Sequence, residues 1–165
     1  MNKNPVLIYF LLIPVQIVLS QLIQPGPDWV LTLLPVMLLC LPTGWPTLRC
    51  MLFAFCTGLA VDFFSGGVLG LSALALTPLG WMRNFFLRKF FNDELVDRGE
   101  PLSWRKWGMG IVGLVLLMTA IFLLIYIFVD AGGERSFWMG GRTFLLSMAA
   151  DAVLALLILP AVLER

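Results

Sequence analysis

The chain has no histidine, so it lacks the imidazole ligand, the ordinary neutral-pH proton carrier and any Ser-His-Asp arrangement. Charge is scarce as well: 13% of the 165 residues are Asp, Glu, Lys or Arg, about half the share of an average soluble domain. The three cysteines, Cys40, Cys50 and Cys56, lie in or beside apolar runs and form no C-x-x-C pair. Buried thiols of this kind behave as small hydrophobes, so neither a disulfide framework nor a zinc site is expected, and no cofactor. The glycine pair Gly66-Gly67 has no lysine or threonine behind it, which excludes a P-loop. With 11 basic and 10 acidic residues the balance is close to neutral, so nothing suggests a nucleic-acid partner.

What fills the sequence is apolar. Hydrophobic residues make up 60% of it, against about 45–50% in a soluble domain, and a soluble fold this small keeps much of its surface in water. The composition therefore predicts a polytopic membrane protein. A helix crossing the hydrocarbon core needs about 20 mostly apolar residues. Runs of that kind occupy 5–23, 28–41, 47–65, 68–87, 107–129 and 137–163. The expected fold is one all-α membrane bundle of about six transmembrane helices, with a polar loop at 88–106 lying in water. Lys3 precedes the first run and no A-x-A-like site follows it, so that run is read as a retained span. The second run is the shortest and has Pro35 in its middle; its length suits a re-entrant segment as well as a crossing, and we read it as a crossing that extends toward Trp45. Pro14, Pro35, Pro78 and Pro160 are expected to kink their helices.

Basic residues orient such a bundle. With a cytoplasmic N-terminus, Lys3, Arg49, Arg83, Arg88, Lys89, Arg98, Arg105, Lys106 and Arg165 fall inside, and only Arg135 and Arg142 outside. All six tryptophans fall near span ends, where the amphipathic ring prefers the headgroup zone. Arg83 is expected to snorkel to the nearby interface, and Arg88, Lys89, Arg105 and Lys106 to meet lipid headgroups.

Of the ten acidic residues, all but Asp62 and Asp151 lie in loops, near termini or at span ends. A carboxylate near the centre of a membrane helix costs on the order of 3 kcal/mol. That applies in full to Asp151, near the middle of the sixth span, and less to Asp62, near the outer end of the third, and both ask for a physical reason. Residues four apart share a helix face, which groups Ala54, Gly58 and Asp62 in one row and Thr143, Ser147, Asp151 and Ala155 in another. Small residues and hydroxyls favour close helix contact. Three roles stay open for the aspartates at this level: hydrogen-bonded packing, recognition of a partner, and proton or ion transport. Between the spans, Ser65-Gly66-Gly67 reads as a tight hairpin, and Gly66 and Gly70 make a GxxxG step.

The stretch Asp62-Phe-Phe-Ser65-Gly66-Gly67-Val-Leu-Gly70-Leu-Ser-Ala73-Leu74 resembles the D-x-x-S-G-x-x-G-x-x-A-L pattern of MreD, the bacterial rod shape-determining membrane proteins, with one extra residue before Gly70. Size and span layout agree with that family. The resemblance implies a non-enzymatic scaffold of the cell-elongation complex in the inner membrane, required for rod shape and lateral peptidoglycan synthesis. It implies an MreC-like single-span partner in the membrane and, indirectly, MreB, RodA and a penicillin-binding protein. It marks Asp62, Ser65, Gly66 and Gly70 as motif residues for packing or partner contact. The family is similar in fold to the substrate-binding S components of energy-coupling-factor vitamin transporters, which supplies the alternative function. Against it, the first span has neither the A-x-x-x-A step those components commonly carry nor any alanine or glycine at all.

Overall fold

The computed structural model describes residues 5–22, 30–66, 68–91, 96, 97, 99, 102, 104–130 and 137–163. Their main helices are α1 (Pro5–Leu22), α2 (Leu34–Cys40), α3 (Thr47–Ser65), α4 (Leu71–Phe90), α5 (Trp104–Asp130) and α6 (Phe137–Leu163). Three stretches are long and apolar enough to cross a membrane: Thr47–Ser65, Trp107–Asp130 and Gly140–Pro160. Only 28–39% of those windows is buried inside the bundle. Apolar side chains such as Phe63, Phe128 and Leu157 point outward instead, the pattern of helices whose solvent is lipid.

Contacts between helices fix their directions. Tyr9 of α1 meets Phe53 and Thr57 of α3, and further along both helices Ser20 meets Ser65, so α1 and α3 run parallel. Helix α4 returns antiparallel to α3, with Asp62 beside Gly70 and Ser72 at one end and Thr47 beside Asn84 at the other. The chain leaving α1 at the Ser65 end must therefore travel the full length of the bundle to begin α3 at the Thr47 end. Residues 30–46 make that passage through the middle, and 31–41 are buried throughout.

This second crossing is only partly helical. Helix α2 has seven residues, about 10 Å of rise, and the chain on either side is irregular. Two prolines bracket it. Pro35 lies in the first turn, where a missing N–H leaves no bond unmade, so it starts a helix rather than kinking one. Leu41 precedes Pro42 and is extended, at φ −64° and ψ 149°, as the residue before proline prefers, and the helix stops there.

The α3–α4 pair is the tightest contact in the bundle. A Cβ on Gly58 would sit 2.5 Å from the Ala73 nitrogen, and one on Gly80 would be 3.0 Å from the Ala54 Cβ, so glycine at both positions lets the backbones approach. The Gly66/Gly70 step plays a different part from the packing expected of it. A Cβ on either would touch nothing within 4 Å. Both have positive φ, 69° and 91°, and they turn the chain between the helices. Gly67 lies outside the described residues.

Several expected boundaries shift. The fourth span starts at Leu71 rather than 68, because the chain is still turning at Gly70, and it continues to Phe90. Helix α5 begins at Trp104 but breaks at Trp107 (φ −131°, ψ 18°), which leaves Trp107–Asp130 as its membrane-length part. The loop expected in water at 88–106 folds back in part: Phe91, Val96 and Leu102 are buried in the core, while Arg88 and Asp97 form an exposed ion pair at 3.0 Å. Residue 23 of the first span and residues 28–29 of the second lie outside the described residues.

Candidate functional site

A backbone that is neither helix nor sheet has N–H and C=O groups to satisfy, and at membrane depth no water is at hand. Residues 30–34 pose this problem at the centre of the bundle, and side chains solve it. Ser147 Oγ accepts from Val30 N at 2.8 Å, Asp151 Oδ1 from Thr32 N at 2.8 Å, and Gln16 Oε1 from Leu33 N at 2.6 Å. Thr32 Oγ1 accepts from Leu34 N at 3.2 Å, and Gln16 Nε2 donates to Leu31 O at 3.5 Å. Ser147 and Asp151 are one turn apart on α6, so a single helix face grips two successive points of the segment. Thr143 and Ala155 lie on the same buried face.

The other end of α2 is held by Arg83. Its Nε donates to Leu38 O at 2.8 Å, one terminal nitrogen to Leu41 O, and the other to Pro42 O at 3.4 Å. These carbonyls lie at and just past the helix end, near the negative end of its dipole, and the backbone serves them only weakly, through Leu41 N to Leu38 O at 3.4 Å and Trp45 N to Pro42 O at 3.3 Å. The guanidinium also reaches Asn84 Oδ1 at 3.3 Å and Cys50 Sγ at 3.7 Å. Arg83 is 0% exposed, so the expected snorkelling to an interface does not occur. A fork with five donors finds enough carbonyl oxygens inside the bundle to make the outward reach unnecessary. Asn84 next to it donates to Trp45 O and Thr47 Oγ1, closing the turn into α3.

Asp62 does comparable work for α4. Its Oδ2 accepts from Gly70 N at 2.9 Å, Ser72 N at 3.0 Å and Ala73 N at 3.4 Å, and Oδ1 from Ser72 N at 3.3 Å. The N-cap residue is Gly70, which has no side chain to cap with, so the carboxylate of the preceding helix covers the orphan donors and faces the positive end of the α4 dipole. Ala54 and Gly58 continue the same face against α4. Ser65 shares a hydrogen bond with Ser20 at 2.8 Å and ties α3 to α1.

The structure thus brings Ala54, Gly58, Asp62, Ser65, Gly66 and Gly70 together at the α3–α4 pair. Thr143, Ser147 and Asp151 form a second set on α6. The two sets meet different partners, one the start of α4 and the other the irregular crossing. Beside the first set lies a cavity of about 60 Å³ with Gln16, Thr32, Asp62, Ser65, Ser72 and Tyr126 in its wall. Sequence reasoning missed Gln16 and the true place of Arg83. The signal for Gln16 was present, as an amide in the middle of an apolar run. Among the described residues no group of three or more Cys, Asp or Glu side chains could hold a metal ion.

One carboxyl oxygen, Asp151 Oδ2, is buried with no hydrogen-bond partner among the described residues. The work of Asp151 is therefore carried by Oδ1, an acceptor that asparagine also offers. We expect Asp151→Asn to unfold within about 1 kcal/mol of the parent, and Asp151→Leu to lose about 2 kcal/mol by stranding the Thr32 N–H. Denaturant titration in detergent, followed by tryptophan fluorescence, checks this; equal losses in the two variants would remove the hydrogen bond as the reason for Asp151.

No family model, curated protein or solved structure matches the chain.

Proposed function

We propose that this chain is a non-enzymatic membrane scaffold of the bacterial cell-elongation complex. It sits in the inner membrane with its N-terminus in the cytoplasm and binds an MreC-like single-span protein. The observation that carries the reading is how its buried polar side chains are used. Gln16, Asp62, Arg83, Ser147 and Asp151 are bonded to backbone groups of neighbouring segments. Such groups hold a shape; a reaction centre would need several of them converging on one substrate position. The motif that resembles MreD gains a physical meaning on this reading. Asp62 caps α4, Ser65 ties α3 to α1, and Gly66 and Gly70 turn the chain, so the motif's described residues join α3 to α4.

The vitamin-transporter alternative draws support from the polar cavity beside Asp62. Its volume of about 60 Å³ is far below the roughly 300–1,000 Å³ of small-molecule sites. Mild cross-linking in native membranes, followed by purification through a tag on this chain, separates the two readings. Recovery of an MreC-like protein with wall-synthesis enzymes is the expected result. A pair of ATPases with a membrane scaffold in their place would overturn it.

A further inference from the structure

We propose that the cavity beside Asp62 binds one small monovalent cation of the sodium class. Charge comes first. Asp62 is buried, and no lysine or arginine lines the cavity among the described residues. The local sum is one carboxylate, softened on one side by the N-terminus of α4. Its two oxygens are unequally used. Oδ2 accepts from three backbone N–H groups, whereas Oδ1 has a single contact at 3.3 Å, from Ser72 N. A carboxylate oxygen has room for more than one donor or ion, so Oδ1 keeps acceptor capacity.

The wall chemistry points the same way. Beyond Asp62 it offers the oxygens of Thr32, Ser65, Ser72 and Tyr126, together with the Gln16 amide. The Gln16 nitrogen is turned to Leu31 O and its oxygen to Leu33 N; Thr32 Oγ1 accepts from Leu34 N and Ser65 Oγ pairs with Ser20 Oγ, so the polar part of the wall is rich in oxygen. Oxygen-rich surroundings suit hard cations. One formal negative charge in a low-dielectric setting is neutralised by one positive charge, while a divalent ion would leave an excess that is costly to bury. A volume of about 60 Å³ has room for an ion with a water, on the scale of about 30 Å³ per liquid water.

The wall is drawn from α1, the 30–34 segment, α3, α4 and α5, so an ion held there would join five parts of the fold and stabilise all of them together. The test is thermal unfolding of the purified full chain in detergent, read by tryptophan fluorescence, with sodium chloride exchanged for choline chloride at constant ionic strength. The expected result is a saturable rise in melting temperature with sodium that choline does not produce. The Ser72→Ala/Tyr126→Phe double variant keeps the Ser72 N–H that bonds Asp62 and removes two wall hydroxyls. Its sodium-dependent increment, measured against its own melting point in choline, should need about tenfold more sodium to half-saturate. Identical melting in the two salts, a dependence that fails to saturate, or the same half-saturating concentration in parent and variant would each overturn the proposal.

Discussion

Arg83→Met is expected to lower the unfolding free energy by about 3 kcal/mol. An ordinary hydrogen bond between membrane helices contributes only about 0.6 kcal/mol, because the unfolded helices find other partners in the bilayer. Arg83 differs in charge and in number. One guanidinium serves Leu38 O, Leu41 O and Pro42 O at the end of α2, where backbone N–H groups reach Leu38 O and Pro42 O only at 3.3–3.4 Å. Methionine fills a similar volume, so the loss would report on those carbonyls rather than on a hole. Arg83→Lys should recover less than half of it, since a single ammonium on a flexible stem cannot copy the planar fork. Unfolding in mixed micelles by titration with a denaturing detergent gives the number. Full rescue by lysine would mean that charge alone matters and that the three-carbonyl geometry does not.

The second large effect is expected at Asp62. Capping interactions contribute about 1–2 kcal/mol, and a carboxylate at a helix N-terminus adds a charge–dipole part of about 0.3–1 kcal/mol. Asp62→Ala should therefore cost about 2 kcal/mol. Asp62→Asn keeps one acceptor oxygen for the Gly70 and Ser72 N–H groups, loses the charge, and should cost about 1 kcal/mol. The loss should concentrate at the start of α4, as faster amide hydrogen exchange over 70–74 in the alanine variant. A uniform increase along the chain would count against the capping role, because it would describe general loosening.

Much of the architecture could be read from the sequence because hydropathy and length mark spans directly. The run 47–65 coincides with α3, and 137–163 with α6. The second run resisted for a physical reason. Beyond Asp28 its only polar residue is Thr32, and periodicity says nothing about a segment buried on every side, as 31–41 is. What keeps it partly unwound is Gln16, Ser147 and Asp151, and the bond from Thr32 to Asp151 joins residues 119 apart in the chain. No local rule carries that information. Arg83 was opaque for a related reason. An arginine two turns from a helix end has an interface within reach of its stem, and only the carbonyls of α2, brought beside it by the fold, give it a reason to stay inside. Spacing alone made Gly66 and Gly70 look like a packing step, whereas the positive φ of both is a property of the turn, and the close approach belongs to Gly58 and Gly80. The Asp62 row was legible as a contact face, but its use as a cap for the next helix was not, because the cap is completed across the hairpin.

The unwound crossing also constrains how the protein is made. A chain entering a membrane from its N-terminus delivers residues 30–41 long before the groups that complete them. Leu38 waits 45 residues for Arg83, and Thr32 waits 119 for Asp151. Until then the segment would expose unmet N–H and C=O groups to hydrocarbon, which a bilayer does not tolerate. Residues 30–41 therefore cannot take up their final path at the moment of synthesis. Until α4 and then α6 arrive they can wait only near the interface or as a regular helix that bonds its own backbone, and the second span in sequence is the last to be finished.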